Sequence, residues 1–179
     1  MLFNTKERYG WFSISLHWLV ALTVFGLFGL GFWMVELNYY SEWYRTAPDI
    51  HKSVGILLAV VMLVRVVLKI FTTTPHPLGE SKLENLMAKM AHALLYLLII
   101  LVLVTGYFIS TADGRPISVF EWFSVPAYPL PIENQEDVSG FLHKWLAYSL
   151  VGLALFHALA AFKHHFIQKD RTLLRMFGK

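Results

Sequence analysis

Eight histidines stand in a chain of 179 residues that contains no cysteine. Four of them, His17, His51, His143 and His157, fall in or at the edge of long apolar runs, where an ionisable side chain is costly and usually functional. His143 and His157 are fourteen residues apart. On a helix that is about 40° short of four full turns and about 21 Å along the axis, so both point nearly the same way. A lone histidine in an apolar helix is commonly a hydrogen-bonded packing residue. Several at matched depths are better explained as metal ligands, because neutral imidazole is a preferred ligand. Zinc or copper sites gather their ligands in one shell, which a membrane-scale separation does not allow. Haem iron fits better: it takes one axial imidazole on each porphyrin face and needs no thiolate.

The elements that must position these rings are helices in a membrane. Hydrophobic residues make up 56% of the chain and charged residues 15%, well below the roughly 25% of soluble domains. That excludes disorder and an ordinary soluble enzyme. Without cysteine, disulfides, iron–sulfur clusters and thioether-linked haem are excluded as well. Apolar runs at 12–35, 54–71, 90–109 and 141–167 are each near the length that crosses a bilayer, and helices satisfy their own backbone hydrogen bonds there. The expected fold is all-α: a single domain over 1–179, an up-and-down four-helix membrane bundle. The first run is too long for a signal peptide and has no cleavage site after it.

Charge placement orients the bundle. Lys6, Arg8, Arg65, Lys69, Lys82, Lys89, Lys163, Lys169, Arg171, Arg175 and Lys179 share one side, eleven of the fifteen basic residues. The positive-inside rule makes that side, and both termini, cytoplasmic. His17 and His157 then lie near the inner side, and His51 and His143 near the outer side. Two haems b, one per pair, are expected.

Further residues fit that reading. Fourteen after His17, His51 and His92 come Gly31, Arg65 and Gly106. Glycine permits close approach of a flat ligand, as would Gly55, one turn after His51. Arg65 could neutralise a haem propionate. His92, near the inner pair in depth, could replace a ligand or hydrogen-bond beside the haem. His164 and His165, with Lys82 nearby, form either an interfacial basic cluster or a quinone headgroup site in which a histidine donates to a quinone carbonyl.

The stretches Ser15-Leu16-His17-Trp18, Ile50-His51-Lys52-Ser53-Val54-Gly55, Ala91-His92-Ala93-Leu94-Leu95-Tyr96, Phe156-His157, His164-His165-Phe166 and the tail Lys169-Asp170-Arg171-Thr172-Leu173-Leu174-Arg175-Met176 resemble bacterial cytochromes b561, over nearly the whole chain. The resemblance implies a four-helix di-haem protein of the inner membrane. It implies His17 with His157 and His51 with His143 as axial ligands, and a quinone contact at His164, with Lys82 as the matching lysine. It also implies superoxide oxidase activity: periplasmic superoxide yields electrons that reduce ubiquinone.

The outer segments carry Arg45, Lys52, Arg115 and Lys144 against eight acidic residues, whereas an anion-collecting surface should be positive. Two functions are therefore open. One is a stand-alone superoxide:ubiquinone oxidoreductase. The other is a di-haem membrane anchor that passes electrons between a dehydrogenase or hydrogenase partner and quinone. Both exclude a nucleic-acid partner and place the chain in the lipid bilayer.

Overall fold

The computed structural model describes residues 1–79 and 81–178; Lys179, one of the basic residues used for orientation, lies outside them. In chain order the elements are α1 (Trp11–Met34), α2 (Thr46–Phe71), α3 (Lys82–Ser110), β1 (Ile117–Val119), β2 (Phe123–Val125), α4 (Gln135–Phe166) and α5 (Thr172–Arg175). The first four of the α-helices, α1 to α4, are long and apolar enough to cross a membrane. Large apolar side chains such as Leu22, Leu63 and Phe156 are exposed along them, which suits surroundings of lipid rather than water.

α2, α3 and α4 begin well before the apolar runs at 54, 90 and 141, because polar residues build their first turns. Pro48 and Asp49 sit in the first turn of α2, where a missing amide proton costs nothing and a negative charge is favourable. At α3, Ser81 caps the helix: its hydroxyl accepts the Glu84 amide at 3.1 Å, the serine half of a capping box. Glu136 and Asp137 occupy the first turn of α4. The start of α1 is closed by the preceding chain instead. Trp11 and Phe12 donate their amides to the carbonyls of Met1 and Leu2 at 3.2 and 3.3 Å.

The residues pack as two compact units. One comprises Met1–Ala21, Val61–Leu97 and Gly152–Lys179. Its non-helical segments are tied by side chains. Asn4 donates to the Thr72 hydroxyl at 3.2 Å, Trp18 Nε1 donates to the Met176 carbonyl at 2.8 Å, and Arg175 donates to the His76 carbonyl at 2.8 Å.

The other unit comprises Leu22–Val60 and Leu98–Val151. Here the segment after α3 departs from the all-helical expectation. Ile117–Val119 and Phe123–Val125 pair antiparallel, Ser118 opposite Ser124. Ile117 and Val119 turn inward and are buried, a period-two pattern. The turn puts Phe120 and Glu121 at φ 47° and 60°, which suits a tight hairpin but is uncommon for residues with a side chain. Ser53 of α2 holds this turn: its hydroxyl accepts the Phe120 amide at 3.2 Å and donates to the Ser118 carbonyl at 3.3 Å. Gln135 similarly ties the start of α4 to the end of α3, donating to the Phe108 carbonyl at 2.8 Å.

Gly10 is where this framework has least room. A Cβ there would collide with the backbone of Leu2 and Phe3, whereas one at Gly29 would meet nothing within 4 Å. Gly10→Val should therefore destabilise the detergent-solubilised protein by roughly 1–3 kcal/mol. Thermal unfolding should show a lowered midpoint, with Gly29→Ala as the unaffected control.

Candidate functional site

In the first unit, α1 carries His17 and α4 carries His157. Their ring centroids are 6.4 Å apart and the planes cross at 71°. In the second unit, α2 carries His51 and α4 carries His143, with centroids 6.2 Å apart and the same 71° crossing. A metal between two imidazoles lies about 2 Å from each nitrogen, with each ring centre roughly 1 Å further back, so centroids stand roughly 6 Å apart. Edge-to-face aromatic packing would allow that separation too. The ring nitrogens show what each histidine would need in order to ligate.

His143 Nδ1 lies 2.9 Å from the Val102 carbonyl, to which it donates, and 3.3 Å from the Thr105 hydroxyl. Donation from Nδ1 fixes the tautomer whose Nε2 lone pair is free for a metal. His51 Nδ1 is buried without a hydrogen-bond partner, so nothing fixes its tautomer and either nitrogen is available. His17 differs. Arg65 Nη2 stands 3.0 Å from His17 Nδ1, and a guanidinium only donates, so Nδ1 is the acceptor. Ligation through His17 Nε2 requires Arg65 to release that contact. His143 therefore has the tautomer that ligation through Nε2 would need, and His17 would have it once Arg65 turned to another acceptor.

The glycines divide. A Cβ on Gly31 would lie 3.1 Å from His51 Cε1, and one on Gly106 would lie 3.0 Å from His143 Cε1. Both lie against the candidate ligand rings themselves. A Cβ on Gly55 would meet no protein atom within 4 Å. Arg65 also donates from Nε to the Tyr96 hydroxyl at 3.0 Å and from Nη1 to the Leu16 carbonyl at 3.4 Å, while Lys69 lies 4.2 Å above the Tyr96 ring. His92 stands edge-on to His157 at 5.0 Å. Among the described residues, no group of three or more His, Cys, Asp or Glu could hold a bare metal ion.

At the far end of α4, His164 Nδ1 is 2.6 Å from Asp170 Oδ2. Burial raises the Asp170 carboxyl. The Thr172 amide and hydroxyl and the His164 ring outweigh it, and hold the group below the usual carboxylate range. His165 is half-buried, edge-on to Phe166 at 4.8 Å. Lys82 is exposed at the first position of α3. Two residues on, Glu84 accepts from Lys163 at 3.2 Å and from Gln168 at 3.0 Å.

In the second unit, a cleft of about 510 Å³ lies beside the loop after α3, lined by Asp49, Lys52, Asp113, Arg115 and Glu121 among others. Its cations are already paired: Lys52 with Asp49 at 2.8 Å, and Arg115 Nε with Asp113 at 2.6 Å. Hydrogen bonds from Arg115 hold the Asp113 carboxyl below its usual range.

Sequence reasoning did not single out Val102, Thr105, Tyr96 or Asp170. Only Asp170 had a signal, six residues after a candidate histidine. The others act through a backbone carbonyl or across helices.

Residues 8–179 match the family model described as prokaryotic cytochrome b561. The chain is 51% identical over 177 residues to cytochrome b561 homolog 2 of Escherichia coli (strain K12), covering 98% of this chain and 94% of that one. It is 30% identical over 182 residues to the protein named "Probable superoxide oxidase CybB" of Yersinia pestis, with 97% of each covered. Cytochrome b561 homolog 1 of Escherichia coli (strain K12) is 29% identical over 182 residues, covering 97% of this chain and 98% of that one.

Gly106→Val should push the His143 ring off its position, since the added carbon begins 3.0 Å from Cε1. Haem retained per purified chain, read by pyridine haemochrome, should fall.

Proposed function

The chain belongs to the prokaryotic cytochrome b561 family, multi-pass membrane proteins that bind haem b and transfer electrons, and we propose that it is a two-haem superoxide:ubiquinone oxidoreductase. The observation that supports the two-haem reading is the two imidazole pairs, with ring centroids 6.4 and 6.2 Å apart, a spacing compatible with two axial ligands of one haem. His17 with His157 would hold one haem and His51 with His143 the other. Bound haem b supplies reversible one-electron chemistry at its iron. The chain supplies the rest. Gly31 and Gly106 let the rings of His51 and His143 sit close against α1 and α3, and the Val102 carbonyl sets the His143 tautomer. Arg65 would exchange His17 Nδ1 for a haem propionate.

His164, with Lys82 and His165, would bind the ubiquinone headgroup. Two superoxide anions each give up one electron and leave as oxygen; one ubiquinone gains two electrons and two protons. The name of the Yersinia pestis relative supports superoxide as donor. The bias of basic residues toward the side shared by the termini supports a bacterial inner-membrane location with both termini cytoplasmic.

A second reading, a membrane anchor fed by a dehydrogenase or hydrogenase partner, is favoured by the cleft of the second unit. Lys52 and Arg115 are each paired with a carboxylate there, and Glu121 adds a further negative charge. Such a surface repels a small anion.

Rapid mixing of the oxidised, detergent-purified protein with superoxide separates the two readings. Two haems per chain reduced near the diffusion limit, roughly 10⁹ M⁻¹ s⁻¹, with electrons recovered on added ubiquinone, is the expected outcome. Sluggish reduction with both haems present would sink the superoxide reading and leave the partner-fed one. A preparation that neither contains nor takes up haem would overturn the histidine assignment.

A further inference from the structure

The quinone reading above leaves a question of chemistry at His164. A neutral imidazole that donates through one nitrogen only accepts through the other, whereas a quinone carbonyl needs a donor. The structure shows what could let one ring do both. α4 ends at Phe166, and the chain reverses through Lys169 at φ 56°, a left-handed conformation unusual for a residue with a side chain. The reversal is fixed by the Asp170 amide donating to the His164 carbonyl at 3.1 Å. It brings Asp170 Oδ2 to 2.6 Å from His164 Nδ1, while Oδ1 accepts the Thr172 amide at 2.7 Å. Each side chain of the pair keeps only about a fifth of its surface exposed. The carboxylate is thus anchored independently of the ring it faces.

Resting on the quinone reading, we propose that Asp170 is the positioning residue of the quinone end: it accepts the His164 Nδ1–H, aims Nε2 at the headgroup, and stabilises the ring when Nε2 also carries a proton. In the protonated state His164 Nε2–H donates to a quinone carbonyl. When the quinone has taken up an electron, supplied by the family's membrane electron transfer, that N–H bond breaks and an O–H bond forms. The neutral ring, still donating to Asp170, is recharged at Nε2 from the aqueous side. A second electron and proton complete the quinol. The other charged groups around the ring are Lys163 and His165 on α4, Glu84 on α3, and Lys169 and Arg171 beside Asp170. Glu84 is engaged by Lys163 and Gln168, which leaves Asp170 as the carboxylate in contact with the ring.

The test uses haem-loaded protein, pre-reduced with dithionite and mixed with excess ubiquinone-1 while haem reoxidation is followed. Asp170→Asn keeps an oxygen for the Thr172 amide but presents an NH₂ group to His164. Haem content and spectrum should stay unchanged, and the maximal reoxidation rate should fall roughly ten-fold. Its alkaline limb should move to lower pH, because a carboxylate favours the charged ring. Unchanged kinetics in Asp170→Asn alongside slow kinetics in His164→Gln would overturn the positioning role and keep the quinone site. Unchanged kinetics in His164→Gln would overturn the quinone site itself. Should Asp170→Asn fail to retain haem, ¹⁵N NMR of the wild-type ring decides: an Nδ1–H tautomer or a doubly protonated ring is expected, and a ring protonated on Nε2 alone overturns the proposal.

Discussion

An imidazole carried into an apolar helix bundle has two nitrogens that each need a partner, and lipid offers none. Much of the local structure around the histidines answers that constraint. Val102 and Thr105 take up one nitrogen of His143, Arg65 takes one of His17, and Asp170 takes one of His164. In the paired rings, a second imidazole stands 6.2 to 6.4 Å away, centroid to centroid. Where the partner is a carbonyl, the tautomer is fixed for ligation. Where it is a guanidinium, the tautomer is fixed against it, and the guanidinium must move. The two histidine pairs therefore differ in their readiness for a metal, although their centroid distances and crossing angles are nearly the same.

The same economy explains the glycines. A ring that must sit within hydrogen-bonding reach of one helix and face another leaves little room for side chains beside it. At Gly31 and Gly106 even a methyl group would press on the ring. Gly55 has no protein atom so close. Charge follows a different logic in the loop-lined cleft of the second unit, where water is available and cations find carboxylates two or three residues away. Such exposed pairs contribute little to stability. They do cancel the field that a free lysine and arginine would project, and that field matters for which donor approaches.

The sequence by itself determined the helices and the candidate ligands. Runs of apolar residues at bilayer length have one economical backbone solution in lipid, and the chain direction then sorts His17, His51, His143 and His157 into pairs by depth alone. The fourteen-residue spacing on α4 adds the common face. Helix starts were less legible. Ser81, Pro48 and the acidic first turn of α4 are recognisable capping signals, but hydropathy alone passes over them.

Only the tertiary structure decided the rest, because it depends on what crosses between segments distant in sequence. The hairpin at Ile117–Val125 turns through Phe120 and Glu121, with no glycine or asparagine to announce a left-handed turn; the buried hydroxyl of Ser53 on another helix holds it. The tautomer of His143 depends on a carbonyl forty-one residues away. That Gly31 and Gly106 lie against rings on other helices follows from helix rotation and approach, which spacing along one helix does not contain. Asp170 lay in plain view beside the histidines, yet its role depends on a reversal at Lys169 that no side-chain pattern requires. Periodicity reports which face of a helix is apolar; the partner that face meets is fixed only when the helices pack.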